Sequence, residues 1–99
     1  MAWLEIIEIR AVGNNRDLLE SQLNSLINQL NQERTLNNVK IYKHVLLETD
    51  FSIHLFHDSQ KSDTCCSSIC MQLVPSLKNF GLVNHAVWVE KSDGGNNNE

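Results

Sequence analysis

Two histidines, His44 and His54, lie in strand-like runs of the 99-residue sequence and could do acid-base chemistry. An imidazole exchanges protons near neutral pH, so the pair could act as acid and base beside Glu8, whose carboxylate would hold one ring as imidazolium. Two other interpretations stay open: a hydrogen-bonded polar cluster in a wet interface, or two ligands of Zn²⁺ or Fe²⁺. No HxH or HExxH spacing supports the metal, so no metal site is expected at these histidines.

Five side chains could bind a ligand: Glu8, Arg10, Tyr42, Phe56 and Trp88. Arg10 could clamp a carboxylate, and Trp88 with Phe56 or Tyr42 could stack on an aromatic molecule. The alternative is structural, because Arg10 could pair with Glu8 and the aromatic rings could pack between subunits. Both interpretations can hold together.

The three cysteines stand close together in the sequence, at positions 65, 66 and 70. Cys66 and Cys70, four residues apart, could share a soft metal, but they fall on the apolar stripe of a predicted helix and are therefore expected to pack in the core. Cys65, near the start of that helix, is the better candidate for a reactive thiolate. An odd number of clustered cysteines forms no disulfide framework and agrees with a reducing compartment.

Sequence motifs of the familiar enzyme classes are missing. The chain has no CxxC, GxSxG, GxGxxG or Walker loop, and none of the kinase motifs. We therefore expect no cofactor, and the motifs leave open whether the protein is an enzyme.

Length and composition predict one small domain over residues 1–91, followed by a tail, 92–99, of low hydrophobicity that is expected to be disordered. The net charge of −4 argues against nucleic acid, which needs clustered Lys and Arg. No stretch approaches the roughly 18 apolar residues of a membrane span, and the first apolar run contains acids, so we expect a cytoplasmic protein without membrane contact.

The first half of the chain alternates between strand and helix periodicity. A strand is predicted over Trp3–Val12, and Gly13-Asn14-Asn15 ends it and caps a helix. One apolar stripe defines that helix: Leu19, Leu23, Leu26, Ile27 and Leu30.

Two strands, Val39–Leu47 and Phe51–Asp58, are then predicted around a three-residue loop, Glu48-Thr49-Asp50. The length of this loop sets the register, and the register decides which side chains share a face. With three residues in the loop, His44 lies nearly opposite His54.

A second helix follows the polar loop Ser59–Asp63. Its apolar stripe consists of Cys66, Ile69, Cys70, Leu73, Leu77 and Phe80. Gly81 is expected to cap this helix, and Pro75 to kink it or divide it into two pieces. The last strand is predicted over Val83–Glu90.

This βαββαβ order predicts an α+β fold in which a four-stranded antiparallel sheet carries both helices on one face. The helix-free face would then present Glu8, Arg10, Tyr42, His44, His54, Phe56, Ala86 and Trp88. His57 and His85 fall on the helix side or near a strand end, and we expect them to be ordinary hydrogen-bonding residues. Because a monomer would leave aromatic side chains in water, the face predicts a homodimer.

A family resemblance rests on this order of elements and on two segments within it. The segments are Asp50-Phe-Ser-Ile-His-Leu-Phe56 and Phe80-Gly-Leu-Val-Asn-His-Ala-Val-Trp88. The chain resembles the dimeric α+β barrel group of ferredoxin-like proteins, to which the antibiotic-biosynthesis-monooxygenase-like proteins belong, over about residues 3 to 90. The resemblance implies two subunits that join their open sheet faces around internal cavities. The group includes cofactor-independent monooxygenases, haem-degrading enzymes, isomerases and members without known activity, so the resemblance does not choose a reaction.

Two functions follow as hypotheses. The first is a homodimer that binds a small molecule between the facing sheets. The second is a cofactor-independent monooxygenase or isomerase-like enzyme, with His44 or His54 as base and Arg10 steadying a developing anion. An RNA-recognition module would also display aromatic rings on a sheet, but the charge and the missing RNP1 pattern argue against it.

Overall fold

Six elements follow one another along the chain: β1 (Trp3–Ala11), α1 (Arg16–Leu30), β2 (Asn38–Lys43), β3 (Asp50–His57), α2 (Ser68–Leu77) and β4 (Gly81–Val89). The computed structural model describes residues 2–30, 38–57 and 67–91. All strand pairs are antiparallel, and the sheet has the order β2-β3-β1-β4. The predicted βαββαβ architecture is confirmed. The tail 92–99, the loop Ser59–Asp63 and residues Cys65 and Cys66 lie outside the described residues.

Alternation along the strands places the core on one face of the sheet. Two central strands supply buried Ile7, Ile9, Ile53 and Leu55, and the helices cover them with Leu19, Leu23, Leu30, Leu73 and Leu77. Leu26 and Ile27 pack at the margin of this core. Both helices therefore lie on the same face, as their apolar stripes predicted. Neither helix of the described ranges is long and apolar enough to cross a membrane.

The β2–β3 connection differs from the prediction. Strand β2 ends at Lys43, so residues 44–49 connect it to β3, and the partner of His54 is Lys40 rather than His44. The predicted three-residue loop, and with it the pairing of His44 with His54, is wrong. Because the register moves by an even number of residues, each side chain of β2 keeps its predicted face.

Side-chain contacts explain why the longer connection forms. His44 Nδ1 accepts hydrogen bonds from the backbone N–H groups of Leu46 and Leu47, at 3.0 Å each. Arg16 on α1 donates from Nε to the carbonyl oxygen of Glu48 at 3.1 Å. Val45 is consequently 91% exposed, although its apolar side chain had suggested a strand residue.

Pro75 and Gly81 play roles other than those predicted. α2 runs through Pro75 as one helix and ends two residues later, so the proline does not divide the element. Gly81 is not a helix cap but the first residue of β4. A Cβ atom at Gly81 would lie 1.9 Å from the carbonyl oxygen of Arg10, so only glycine permits this approach of β4 to β1.

Candidate functional site

The face of the sheet opposite the helices, here called the open face, carries every residue predicted to bind a ligand. Each strand contributes alternate residues: Leu4, Ile6, Glu8 and Arg10 from β1, Lys40 and Tyr42 from β2, Ser52, His54 and Phe56 from β3, and Leu82, Asn84, Ala86 and Trp88 from β4. Trp88 is 60% exposed and Leu82 is 68% exposed. Seven of these thirteen side chains are apolar or aromatic and six are polar, so the open face combines exposed apolar groups with charged and hydrogen-bonding ones.

His54 lies at the centre of the aromatic part of this face. Its ring centroid is 4.5 Å from that of Tyr42 and 6.2 Å from that of Phe56, and its Nε2 lies 3.1 Å from the hydroxyl oxygen of Ser52. Partial burial lowers the pKa of His54 below its ordinary value, although the charge of Glu8 opposes this. The imidazole is therefore neutral at pH 7 and has a lone pair that can accept a proton.

His44 lies in the β2–β3 connection, beyond the end of β2. Its Nδ1 is engaged by two backbone N–H groups of the turn. The predicted pair of imidazoles facing each other across two strands does not form. His54 is the histidine that remains as the acid-base candidate on the strands of the open face.

Arg10 is held by a partner that the sequence had not suggested. Its Nε and one terminal nitrogen donate to the two carboxylate oxygens of Asp50, at 2.8 and 2.9 Å. These hydrogen bonds raise the pKa of Arg10 and lower the pKa of Asp50. Within the chain, Glu8 accepts instead from Asn84 Nδ2 at 3.4 Å.

Two concave regions divide the predicted ligand-binding residues between them. A cavity of about 420 Å³ is lined by Glu8, Arg10 and Tyr42, together with His44, Asp50, Ser52, Leu82 and Asn84 among others. A second, of about 300 Å³, lies at the opposite end of β1 and includes Leu4, Phe56 and Trp88. His54 lies on the strand between these two regions, in contact with one ring from each.

A second polar group, which we call the Glu5 cluster, lies on the helix side and comprises Glu5, His57, Ser67, Cys70 and His85. Glu5 is 0% exposed, and its Oε1 lies 2.7 Å from His57 Nε2. The hydroxyl and backbone N–H of Ser67 donate to Oε1 and Oε2, respectively. His85 Nε2 lies 3.4 Å from Oε2. Four elements or their caps thus meet at one carboxylate.

The carboxylate of Glu5 is charged despite its depth. Burial alone would raise its pKa, but the hydrogen bonds from Ser67 and His57 outweigh burial and lower the pKa below its ordinary value. Ser67 also caps α2, since its hydroxyl accepts from the backbone N–H of Cys70 at 3.1 Å. The negative charge therefore lies at the positive end of the α2 dipole, where it is stabilised.

Sequence reasoning missed the centre of this cluster. His57 and His85 lie on the helix side, as predicted, but the sequence pattern assigned no role to Glu5. The signal was available, since the parity of Ile7 and Ile9 puts Glu5 on the core face and a buried carboxylate needs partners.

The sequence matches no protein-family model and no curated protein. Solved structures, in contrast, match it over most of its length. Rv0793 of Mycobacterium tuberculosis aligns with a TM-score of 0.72 at 12% identity and covers 93% of this chain and 97% of its own. A conserved protein of Methanosarcina mazei aligns with a TM-score of 0.73 at 12% identity, over 92% of this chain and 94% of its own.

A third similar structure is that of an enzyme. SnoaB of Streptomyces nogalater, a cofactor-independent oxygenase solved as a variant, aligns with a TM-score of 0.69 at 5% identity and covers 92% of this chain and 94% of its own. At such identities the likeness concerns the backbone alone. The chain has the ferredoxin-like fold of the antibiotic biosynthesis monooxygenase-like proteins.

Proposed function

We propose that this chain is a cytosolic homodimer in which two open faces pack together and enclose a small molecule. The observation that carries the proposal is the apolar surface that a single chain leaves in water, with Trp88 and Leu82 exposed and Leu4, Ile6 and Phe56 half-buried. Contiguous apolar surface of this kind is typical of an interaction site. The odd number of cysteines fits the reducing cytosol.

The ligand we propose is aromatic and uncharged. Tyr42, Phe56 and Trp88 offer rings for stacking, whereas the guanidinium of Arg10 is already paired with Asp50 through two hydrogen bonds. A ligand carboxylate would have to displace Asp50 and leave that side chain without its partner. A second open face would close the 420 Å³ cavity, whose size suits a small organic molecule.

Replacing Trp88 with Lys is expected to dissociate the dimer. A large aromatic side chain buried in an interface commonly contributes about 2 kcal/mol or more, so the dimer Kd should rise by at least about 30-fold. Sedimentation velocity over a dilution series measures this change. The matched control is Met71→Lys, because Met71 is equally exposed on the outer side of α2. A wild-type monomer at micromolar concentration, or a dimer sensitive only to Met71→Lys, would contradict the proposed interface.

A second candidate function is favoured by the state of His54. A neutral imidazole between Tyr42 and Phe56 can take a proton from a phenol or enol bound on the open face, and the resulting electron-rich anion can react with dioxygen without a protein cofactor. SnoaB, which shares the fold, is a cofactor-independent oxygenase. An isomerase-like enzyme would use the same proton transfer.

Under this candidate, His54→Ala is expected to lower the rate of oxygen consumption with hydroxylated aromatic compounds by at least about 100-fold, the usual contribution of a general base. The free energy of unfolding should change by less than about 1 kcal/mol, because the side chain lies outside the core. The rate of the wild type should fall on acidification below the ordinary histidine pKa of 6.5, since the pKa of His54 is lowered.

Met71→Ala, a substitution on the exposed side of α2 and away from the open face, is the control and should leave the rate unchanged. Two measurements on the purified protein separate the two candidate functions. Native mass spectrometry detects a bound molecule, and an oxygen electrode measures oxygen uptake. A bound molecule with no oxygen uptake supports binding alone, and oxygen uptake that survives His54→Ala excludes His54 as the base.

A further inference from the structure

We propose that Glu5, Cys70 and His85 form a zinc-binding site on the helix side of the sheet. Their donor atoms, a carboxylate oxygen, Sγ and an imidazole nitrogen, all lie within 4.8 Å of one another. The site belongs to β1, α2 and β4 and faces away from the open face, so it does not rest on the proposed function. Sequence spacing predicted no metal, because these three donors are far apart in the sequence.

The distances suit a small tetrahedral cation. Zn²⁺ with bonds of about 2.0–2.3 Å holds neighbouring donors about 3.3–3.8 Å apart. Glu5 Oε2 and His85 Nε2 are already 3.4 Å apart. The remaining separations, at most 4.8 Å, need to close by about an ångström, which small side-chain rotations supply.

Glu5 Oε2 and His85 Nε2 each keep a lone pair that can bind a cation. Oε1 of Glu5 accepts from His57 and from the Ser67 hydroxyl, whereas Oε2 accepts from the Ser67 N–H and has a second lone-pair direction. His85 Nε2 is buried and makes no hydrogen bond within residues 2–30, 38–57 and 67–91. A buried imidazole nitrogen facing a carboxylate oxygen at 3.4 Å is the arrangement that a metal ion between them would satisfy.

The groups around the site match those that support metal ligands. His57 and Ser67 fix the orientation of the Glu5 carboxylate, and the ring of Trp3 stacks on that of His57 with centroids 3.9 Å apart. Outer groups of this kind hold the first ligands in place. A thiolate and an imidazole select zinc over magnesium or calcium, and three protein ligands leave a fourth position for water.

The test uses the full chain, treated with a chelator and a thiol-free reductant and then titrated with Co²⁺ or Zn²⁺ alone. We expect one Co²⁺ per chain with a thiolate-to-metal charge-transfer band, and one Zn²⁺ measured by competition with a chromophoric chelator. Thermal unfolding should move to higher temperature with Zn²⁺, because the metal binds the folded site.

The variants form a graded series. His85→Ala should weaken Zn²⁺ binding by more than about 100-fold and His57→Ala by about 10- to 100-fold, since His57 acts only through the Glu5 carboxylate. Cys70→Ser should remove the charge-transfer band. His54→Ala, a histidine of the open face, is the matched control and should bind as the wild type does.

The site would be overturned by the absence of stoichiometric metal on the wild type, by binding that His85→Ala leaves intact, or by equal losses for His85→Ala and His54→Ala. A charge-transfer band that survives Cys70→Ser would assign the metal to other cysteines and would also overturn it. If Cys70→Ser fails to fold, His85→Ala decides the question, because it removes a partly exposed side chain from an edge strand.

Discussion

Replacing Glu5 with Ala is expected to destabilise the protein by about 3–5 kcal/mol, because each buried donor left without an acceptor costs about 1–3 kcal/mol. The substitution leaves His57, the Ser67 hydroxyl and the Ser67 N–H without their acceptor. Urea denaturation in the presence of a chelator measures the loss without any contribution from bound metal.

Glu8→Ala is the matched control for Glu5→Ala. Glu8 is exposed on the same strand, so its loss should change the free energy of unfolding by less than about 0.5 kcal/mol. Equal effects of the two substitutions would show that the Glu5 cluster contributes little to stability.

The Glu5 cluster should also make the free energy of unfolding depend on pH. The pKa of Glu5 is lowered in the folded state, so the unfolded chain takes up the proton first and the contribution of Glu5 is complete above the ordinary pKa of about 4.5. The free energy of unfolding should therefore fall as the pH drops below 4.5 and through the lower folded pKa. Glu5→Gln removes this titration, and the difference between wild type and variant should shrink over that range.

Gly81→Ala is expected to cost about 3 kcal/mol, at the upper end of the usual cost of overpacking. The added methyl group would meet the carbonyl oxygen of Arg10 at 1.9 Å, and a backbone atom cannot rotate away as a side chain can. The start of β4 would have to move away from β1. Thermal or urea denaturation measures the loss.

Gly13→Ala provides the comparison for that result. Gly13 has a φ of +62° and nothing within 4 Å of an added Cβ, so alanine there costs only the strain of the left-handed conformation, about 1 kcal/mol. A Gly81→Ala variant no less stable than Gly13→Ala would mean that β4 approaches β1 less closely than described.

Periodicity predicted the element types because burial alternates with the strand and helix repeats. The stripe from Leu19 to Leu30 became one buried helix face, and Ile7, Ile9, Ile53 and Leu55 share the core. The burial of each of these side chains can be predicted from the apolar and polar residues next to it in the sequence. The prediction of faces also survived the error in register, because the slip was even.

The register itself could not be predicted from apolar content. Val45, Leu46 and Leu47 look like strand residues, yet the imidazole of His44 binds two backbone N–H groups and turns the chain before them. Local side-chain hydrogen bonds of this kind compete with a sheet ladder and have no periodic signature. Parity along β1 places Glu5 on the core face, but its partners could not be predicted, since they come close to it only after β1, β3, β4 and α2 have packed.

The position of β1 at the centre of the sheet also shapes the order of folding. One of its neighbours, β4, is the last strand of the described residues, and Trp3 pairs with Val89 across almost all of them. Closing so long a loop costs entropy before any contact compensates for it, so folding is expected to be slow for a chain of this size. During synthesis, β1 has an unpaired edge until β4 leaves the ribosome, and an unpaired strand edge favours aggregation of the nascent chain.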